Sequence, residues 1–165
     1  MPPSDVERSI QLSVLDRLID NRPDSKIDPP LSRSESLRRL RNAVKRDLEW
    51  LLNSARTADP VPEAYKEVQT SLYVYGLPDI NSVTLDNPQD EARLVRSLET
   101  AILTFEPRLS RVRVSTYEKL SKKKTALVFH VEAYLMIDPA PERISFDTVL
   151  EIAKGSYTVK EDQSA

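Results

Sequence analysis

The amino-acid sequence contains no cysteine, one histidine and only two glycines in 165 residues. Gly76 and Gly155 lie far apart, which excludes glycine-rich phosphate loops and dinucleotide-binding fingerprints, because such sites need several clustered glycines. The absence of cysteine excludes disulfides, iron–sulfur clusters, thiolate zinc sites and cysteine nucleophiles. The single His130 excludes zinc sites built from several histidines. These absences favour a binding or assembly protein over an enzyme, and we expect neither a metal nor a cofactor.

The sequence also lacks a long apolar run. Its unbroken apolar stretches are a few residues long, whereas about 20 are needed to span a bilayer. The first residues lack the basic and apolar regions of a signal peptide. This predicts a soluble protein without direct membrane insertion, and the absence of cysteine is consistent with a reducing cytosol.

The net charge of -2 hides a strong segregation of charge along the chain. Six basic residues and one acid lie between Arg33 and Arg46, and seven basic residues and one acid lie between Arg108 and Lys124. The remainder of the chain is therefore acidic. Patches of opposite sign favour docking between charged protein surfaces.

Apolar periodicity predicts three helices. The first is short and ends near Asn21, and a proline-rich linker follows, so that residues 1–32 form an N-terminal segment. The second runs from about residue 34 to 56, and Asn87 and Pro88 are typical of the start of a third helix that ends before Pro107. The apolar stripe of the second helix consists of Leu37, Leu40, Val44, Leu48, Leu51, Leu52 and Ala55. The stripe of the third helix consists of Leu94, Val95, Leu98, Ala101, Ile102 and Phe105.

Alternating apolar residues predict strands in the second half of the chain. Three strands are expected at residues 111–115, 127–137 and 144–152, with a fourth short strand at 157–160. Helices followed by strands predict an α+β fold, in which N-terminal helices pack on a small antiparallel sheet of three to four strands. Residues 33–160 then form a single domain, and we expect residues 161–165 to be frayed.

The second helix carries five basic side chains that form a candidate charged docking face. They are Arg38, Arg39, Arg41, Lys45 and Arg46. A solvated helix face is the simpler interpretation, and contact with an acidic partner is the other. A nucleic-acid-binding regulator that uses this helix is the alternative function, although an aromatic content of 6% and the acidic remainder weigh against it.

The sequence gives little support for a catalytic site. His130 could pair with Ser145 or Asp147, but no strand-turn-helix nucleophile elbow exists, so a structural or solvated histidine is favoured. Pairs of acids are too numerous to indicate a glycosidase site, and none lies in an apolar, aromatic-rich context that would raise a pKa. A cell-wall hydrolase is therefore a remote third hypothesis.

Three short motifs, in their order along the chain, resemble a known family. They are DLEWLLN at residues 47–53, YGLPD at 75–79 and FEPRL at 105–109, and a strand at 146–150 follows them. Together they resemble the TssE family of type VI secretion, which is similar to the small baseplate wedge protein of contractile phage tails. The resemblance covers roughly residues 10 to 160.

The resemblance implies a structural, non-enzymatic baseplate subunit in the cytoplasm, assembled at the inner face of the bacterial inner membrane. It implies binding to TssF and TssG, a connection to the sheath subunits TssB and TssC, and contact with TssK through the baseplate. No nucleic acid or small-molecule substrate is implied. The lysozyme-like label of some relatives is not carried over to this chain.

The resemblance and the strand pattern together nominate two partner-binding regions. Glu106, Pro107, Arg108 and Leu109 would contact the wedge formed by TssF and TssG, unless the charges only pair within the domain itself. An open strand edge would pair with the sheath and act as a template for its polymerisation. The residues nominated for that edge are Ile144, Phe146, Thr148, Leu150 and Tyr157.

Overall fold

The computed structural model divides the chain into two compact units, Met1–Val44 and Lys45–Ala165. The first unit contains helix α1 (Val14–Leu18) and most of helix α2 (Arg33–Leu52). The third α-helix, two short 3-10 helices (Val68–Thr70 and Leu72–Val74) and the four described strands belong to the second unit. The structure describes residues 10, 12–20, 23–24, 32–79, 87–117, 126–151 and 155–161.

Helix α1 is shorter than the sequence predicted. It has five residues, and the Ser13 side chain accepts a hydrogen bond from the Asp16 amide at its start. None of its residues is buried. Most of the predicted linker and all but the first residue of the predicted frayed tail lie outside the described residues.

Helix α2 follows its predicted stripe but ends earlier than residue 56. Ser32 caps its first turn, because its hydroxyl accepts from the Glu35 amide at 3.2 Å. The helix ends at Leu52, and Ala55 is exposed and forms a parallel bridge with Leu77. The buried members of the stripe are Leu40, Val44, Leu48, Leu51 and Leu52.

Helix α3 (Pro88–Phe105) confirms the sequence signals at both of its ends. The Asn87 side chain accepts a hydrogen bond from the Gln89 amide at 3.0 Å, and Pro88 occupies the first turn. The helix stops at Phe105, two residues before Pro107. Its buried residues are Leu94, Leu98, Ala101 and Ile102.

Four strands form one antiparallel sheet in the order β1-β2-β3-β4. They are β1 (Leu109–Tyr117), β2 (Ala126–Leu135), β3 (Glu142–Glu151) and β4 (Ser156–Glu161). The predicted α+β class is confirmed. Ile152, the predicted last residue of the third strand, lies outside the described residues.

One face of the sheet supplies most of the core of the second unit. Cross-strand pairs such as Val131 with Phe146 and Thr148 with Val159 place buried side chains opposite one another. Helix α3 packs against β1. The apolar alternation that predicted the strands corresponds to the inward and outward alternation of this sheet, except that residues 127–131 of β2 are buried on both faces.

Tyr157 is buried in this core, and its hydroxyl has no hydrogen-bond partner among the described residues. Replacing Tyr157 by phenylalanine removes a buried polar atom without changing the ring. We expect the free energy of unfolding at pH 7 to stay the same or to rise by up to about 1 kcal/mol. Urea denaturation measures this change, and a loss of more than that amount would show that the hydroxyl is bonded.

The same variant tests how the stability of the fold depends on pH. Burial raises the pKa of Tyr157 above its usual value, so the unfolded chain releases the phenolic proton first as pH rises. Stability linked to this group is therefore complete below about pH 10 and is lost above it. We expect Tyr157→Phe to lose less stability than the wild type between neutral and strongly alkaline pH.

Candidate partner-binding site

The corner between α3 and β1 is held by backbone hydrogen bonds. The Glu106 amide donates to Ile102 at 2.9 Å and closes the last helical turn, and the Leu109 amide donates to the Glu106 carbonyl at 3.0 Å. The Arg108 carbonyl accepts from the Met136 amide at 2.8 Å, which ties the corner to the end of β2. The side chains of this corner therefore project from a fixed backbone.

Arg108 is the centre of a charged network at this corner. Its Nε donates to Oε1 of Glu106 at 2.6 Å, and its Nη2 contacts Oε2 of the same carboxylate. Nη2 also donates to Oδ2 of Asp47 on α2 at 2.6 Å. Burial alone would lower the pKa of Arg108, but the hydrogen bonds to the two carboxylates raise it above its ordinary value. Arg108 is therefore permanently charged, and its fork-shaped group fixes both acids.

The network continues from Asp47 to the surface. Oδ1 of Asp47 accepts from Nε and Nη2 of Arg46 at 2.9 and 2.7 Å. The Arg46 guanidinium carbon lies 5.0 Å from the centre of the Trp50 ring, within the range of a cation–π contact. Trp50 is 54% exposed. A continuous chain of contacts thus links buried Glu106 to an exposed indole.

Two aromatic residues pack together near this network. The rings of Tyr75 and Phe105 meet edge to face, with centroids 5.1 Å apart. Burial and the charges of Asp47 and Glu106 raise the pKa of Tyr75. A tyrosine hydroxyl is already neutral at physiological pH, and this shift disfavours a further negative charge beside the two acids at higher pH as well.

The four residues predicted to contact the wedge are not equally accessible. Glu106 and Leu109 are buried within this chain, at 4% exposure each. Pro107 is exposed, and the Arg108 side chain keeps 24% of its surface. The internal pairing that the sequence left open is thus present for both charges. Contact of this corner with a partner remains a prediction.

The nominated strand edge needs a correction. β3 is not an edge strand, because residues 146–151 pair with β4 on one side and with β2 on the other. The expected open edge at this part of β3 is therefore wrong, since its backbone groups are used by its neighbours. The nominated side chains on β3 are buried and face the core, namely Ile144, Phe146, Thr148 and Leu150.

Tyr157 lies on β4, which is an edge strand among the described residues, but its own peptide groups are occupied. The Asn53 side chain accepts from the Tyr157 amide and donates to the Tyr157 carbonyl, both at 2.9 Å. At the opposite edge, the Val114 amide of β1 donates to the Glu99 carboxylate at 2.9 Å. Each edge strand is thus capped by a side chain at one position, which hinders uncontrolled strand pairing.

The register shows where the edge of β4 still offers backbone groups. In an antiparallel strand, the peptide groups of successive residues point alternately to the two sides. Because those of Tyr157 point to Asn53 and away from β3, those of Val159 and Glu161 also point outward. A partner strand would therefore pair with β4 at these two positions.

The five basic residues of α2 do not behave as one exposed face. Arg38 and Arg39 pair with Glu35 at 2.8 and 3.4 Å, and the hydrogen bond from Arg38 lowers the pKa of Glu35. Arg41 and Lys45 are partly buried, and Arg46 belongs to the corner network. Docking through the five together stays an untested prediction.

His130 has a geometry that fits the structural role favoured by the sequence. It is 9% exposed, and its Nδ1 lies 2.8 Å from Oδ1 of Asp147. Its Nε2 lies 3.6 Å from Glu132. Among the described residues, no group of three or more metal-ligating side chains converges.

Asp47 and Trp50 were not nominated from the sequence, although both lie in the DLEWLLN motif. The signal for Trp50 was available, because it falls outside the apolar stripe of α2 and therefore had to face the polar side. No sequence signal paired Asp47 with Arg108, which is 61 positions away.

Comparison with known proteins identifies a family and a similar solved structure. The family model described as baseplate wedge protein gp25 matches residues 38–140. A chain of a structure titled "The baseplate complex from the type VI secretion system" aligns with a TM-score of 0.48 and 19% identity, over 68% of this chain and 94% of that chain. A search of curated proteins finds no match. Among the described helices, none combines the length and apolar character needed to cross a membrane.

Proposed function

Because the chain belongs to the family of the baseplate wedge protein gp25, we propose that it is a structural adaptor of a type VI secretion baseplate. In this proposal the corner around Arg108 binds the wedge subunits TssF and TssG. The outer edge of β4 pairs with the base of the sheath built from TssB and TssC and acts as a template for its polymerisation. Contact with TssK is indirect, through the baseplate, and the chain has no catalytic step.

The proposal is supported first by the family membership and by the order of the motifs at residues 47–53, 75–79 and 105–109. Two of these motifs meet in space, because Asp47 and Arg108 are in direct contact. The third places Tyr75 against Phe105. Motifs that lie apart in the sequence thus build one corner, as expected of a single binding site.

The observation that carries the wedge contact is the exposed Trp50. Tryptophan and arginine are the residue types most enriched among those that dominate binding energy at interfaces. Trp50 projects beside Arg46, and the ion pairs of Asp47 hold that arginine in place. A side chain fixed before binding loses less conformational entropy when a partner covers it. The corner therefore offers a preorganised aromatic anchor.

Replacing Trp50 by alanine tests this anchor. Its ring is more than half exposed, so its loss should barely change stability. We expect affinity for a co-expressed TssF and TssG complex to fall by at least about 30-fold. Leu103→Ala is the matched control, because Leu103 is 51% exposed on α3 and lies outside the corner network. Equal binding by both variants in co-purification and titration would contradict the wedge contact at Trp50.

The sheath contact is tested by proline at an outward-facing backbone amide. Glu161→Pro removes one such amide from β4 without removing a bond to β3. We expect nucleation of TssB and TssC sheaths to fall about tenfold, as one lost backbone hydrogen bond implies. Thr116→Pro makes the same change on β1. Thr116 lies two residues after Val114, so its amide points away from β2 as that of Val114 does. Sheaths are counted by electron microscopy. If only Thr116→Pro lowers their number, the sheath contact lies on β1 and not on β4.

A further inference from the structure

The outer face of the sheet, opposite the core, carries a cluster of exposed cationic and aromatic side chains around Glu132. Arg113 lies directly opposite Glu132 in the register of β1 and β2, and Tyr134 lies opposite Arg143 in the register of β2 and β3. Arg111 lies on the same surface, over Tyr134. We call Arg111, Arg113, Tyr134 and Arg143 the arginine face.

A bulge in β1 shapes this face. Arg111 and Val112 together oppose Ala133, so β1 has one more residue than β2 at this point. Arg111 has a φ of 51°, a left-handed backbone conformation that is unfavourable for residues other than glycine. The bulge directs the Arg111 guanidinium over the Tyr134 ring, 5.5 Å from its centre. Strained residues are concentrated at binding and catalytic sites, where the surrounding structure maintains them.

The charges of the face are not balanced by the described residues around it. Glu132 pairs with Arg143 at 2.6 Å and lies near His130, and Asp147 is hydrogen-bonded to His130. Among the residues that the structure describes, neither Arg111 nor Arg113 has a carboxylate within ion-pair distance. Two guanidinium groups of this face therefore have no ion-pair partner among those residues.

The surface between these side chains is concave. A depression of about 520 Å³ is lined by the three arginines, Glu132 and Tyr134, together with Val112 and Ala133. It spans three strands, or about 10 Å at the usual strand spacing. This width fits one extended or helical segment with two or more carboxylates, since an arginine fork binds a carboxylate through two parallel hydrogen bonds.

We propose that the arginine face binds an acidic segment of a protein partner, whose carboxylates pair with Arg111 and Arg113 while its backbone crosses Tyr134. The site is separate from both the corner around Arg108 and the outer edge of β4, so it goes beyond the function proposed above. Nucleic acid is disfavoured, because Glu132 and Asp147 interrupt the cationic surface. A continuous row of phosphates would meet these acids, whereas a peptide can place its carboxylates at the arginines alone.

The test uses fluorescence anisotropy with the full chain. The probe is a short fluorescein-labelled peptide of alternating glutamate and alanine, and a glutamine–alanine peptide is its uncharged counterpart. Arg111→Asn with Arg113→Gln removes both uncompensated charges, and asparagine tolerates the left-handed backbone at position 111. We expect at least about tenfold weaker binding of the acidic peptide. Arg93→Gln with Arg96→Gln, on α3, is the matched control and should change binding less than about twofold.

A second variant is expected to shift affinity in the opposite direction, so misfolding cannot imitate it. Glu132→Gln removes the carboxylate that competes for Arg143, and we expect the acidic peptide to bind about threefold more tightly. Equal effects of the two arginine double variants, or weaker binding by Glu132→Gln, would overturn the proposal. Tighter binding to random duplex DNA than to the peptide, lost in the Arg111 and Arg113 variant, would also overturn it. Trp50→Ala should bind the peptide as the wild type does.

Discussion

Replacing Arg108 by alanine is expected to lower the free energy of unfolding by about 3 kcal/mol, because breaking a buried ion pair leaves its partner unpaired. The partner is Glu106, whose side chain is 5% exposed and loses every charged hydrogen bond from Arg108. Asp47 is less affected, since it keeps Arg46. Urea denaturation measures the loss. Wedge binding should weaken as well, because Asp47 then keeps its pair with Arg46 but loses its link to the corner.

The control for Arg108 is Arg38→Ala. Arg38 also pairs with a glutamate, but its side chain is 72% exposed, and an exposed pair contributes less than about 1 kcal/mol. The double variant Glu106→Gln with Arg108→Met removes both charges and should lose less stability than the two single changes added together. If Arg108→Ala is as stable as Arg38→Ala, the network does not hold the corner.

Gly76→Ala is the second change with a large expected effect. Gly76 has a φ of 102°, and a Cβ added there would lie 2.2 Å from the Ser54 carbonyl oxygen. Ser54 has little freedom to move, because the same oxygen accepts from the Leu77 amide at 2.8 Å. We expect the strained backbone and the displaced bridge to lower stability by about 3 kcal/mol. Thermal and urea denaturation both measure this loss.

The other glycine provides the control. Gly155 also has a positive φ, of 61°, but nothing lies within 4 Å of an added Cβ. Gly155→Ala should therefore lower the free energy of unfolding by about 1 kcal/mol, which is the cost of placing a Cβ in a left-handed backbone conformation without a clash. Equal losses at the two positions would contradict the close approach of Gly76 to Ser54. Because Gly76 adjoins Tyr75, its variant should also weaken wedge binding.

The sequence predicted the elements of this fold well where local signals were strong. Asn87 and Pro88 located the start of α3, and the alternation of apolar residues located all four strands. The end of α2 was less accurate, because Ala55 continues the apolar period but pairs with Leu77 instead. That bridge depends on a residue 22 positions away, which local periodicity cannot detect.

The site was predicted only in part, for the same physical reason. The motif at residues 105–109 nominated Glu106 and Arg108, but only the fold shows that Asp47 joins them and that Trp50 is exposed beside them. The error over β3 has a related origin. Period-two alternation shows which residues face the core, whereas edge position depends on the order of the strands.

The two contacts proposed for the baseplate role, with the wedge and with the sheath, depend on different features of the structure. The corner requires a rigid arrangement of charges that supports one exposed ring. The edge of β4 requires outward peptide groups at Val159 and Glu161, next to a position that Asn53 already caps. A variant that loses one contact should keep the other, so wedge binding and sheath nucleation can be measured independently.

The most direct measurement of the central claim is photo-cross-linking from position 50 in the assembled baseplate. A benzophenone amino acid replaces Trp50, with Leu103 as the control position of similar exposure. The baseplate account predicts adducts to TssF or TssG from position 50 and few from position 103. Adducts of equal yield from both positions, or none from position 50 in a baseplate that contains this chain, would contradict it.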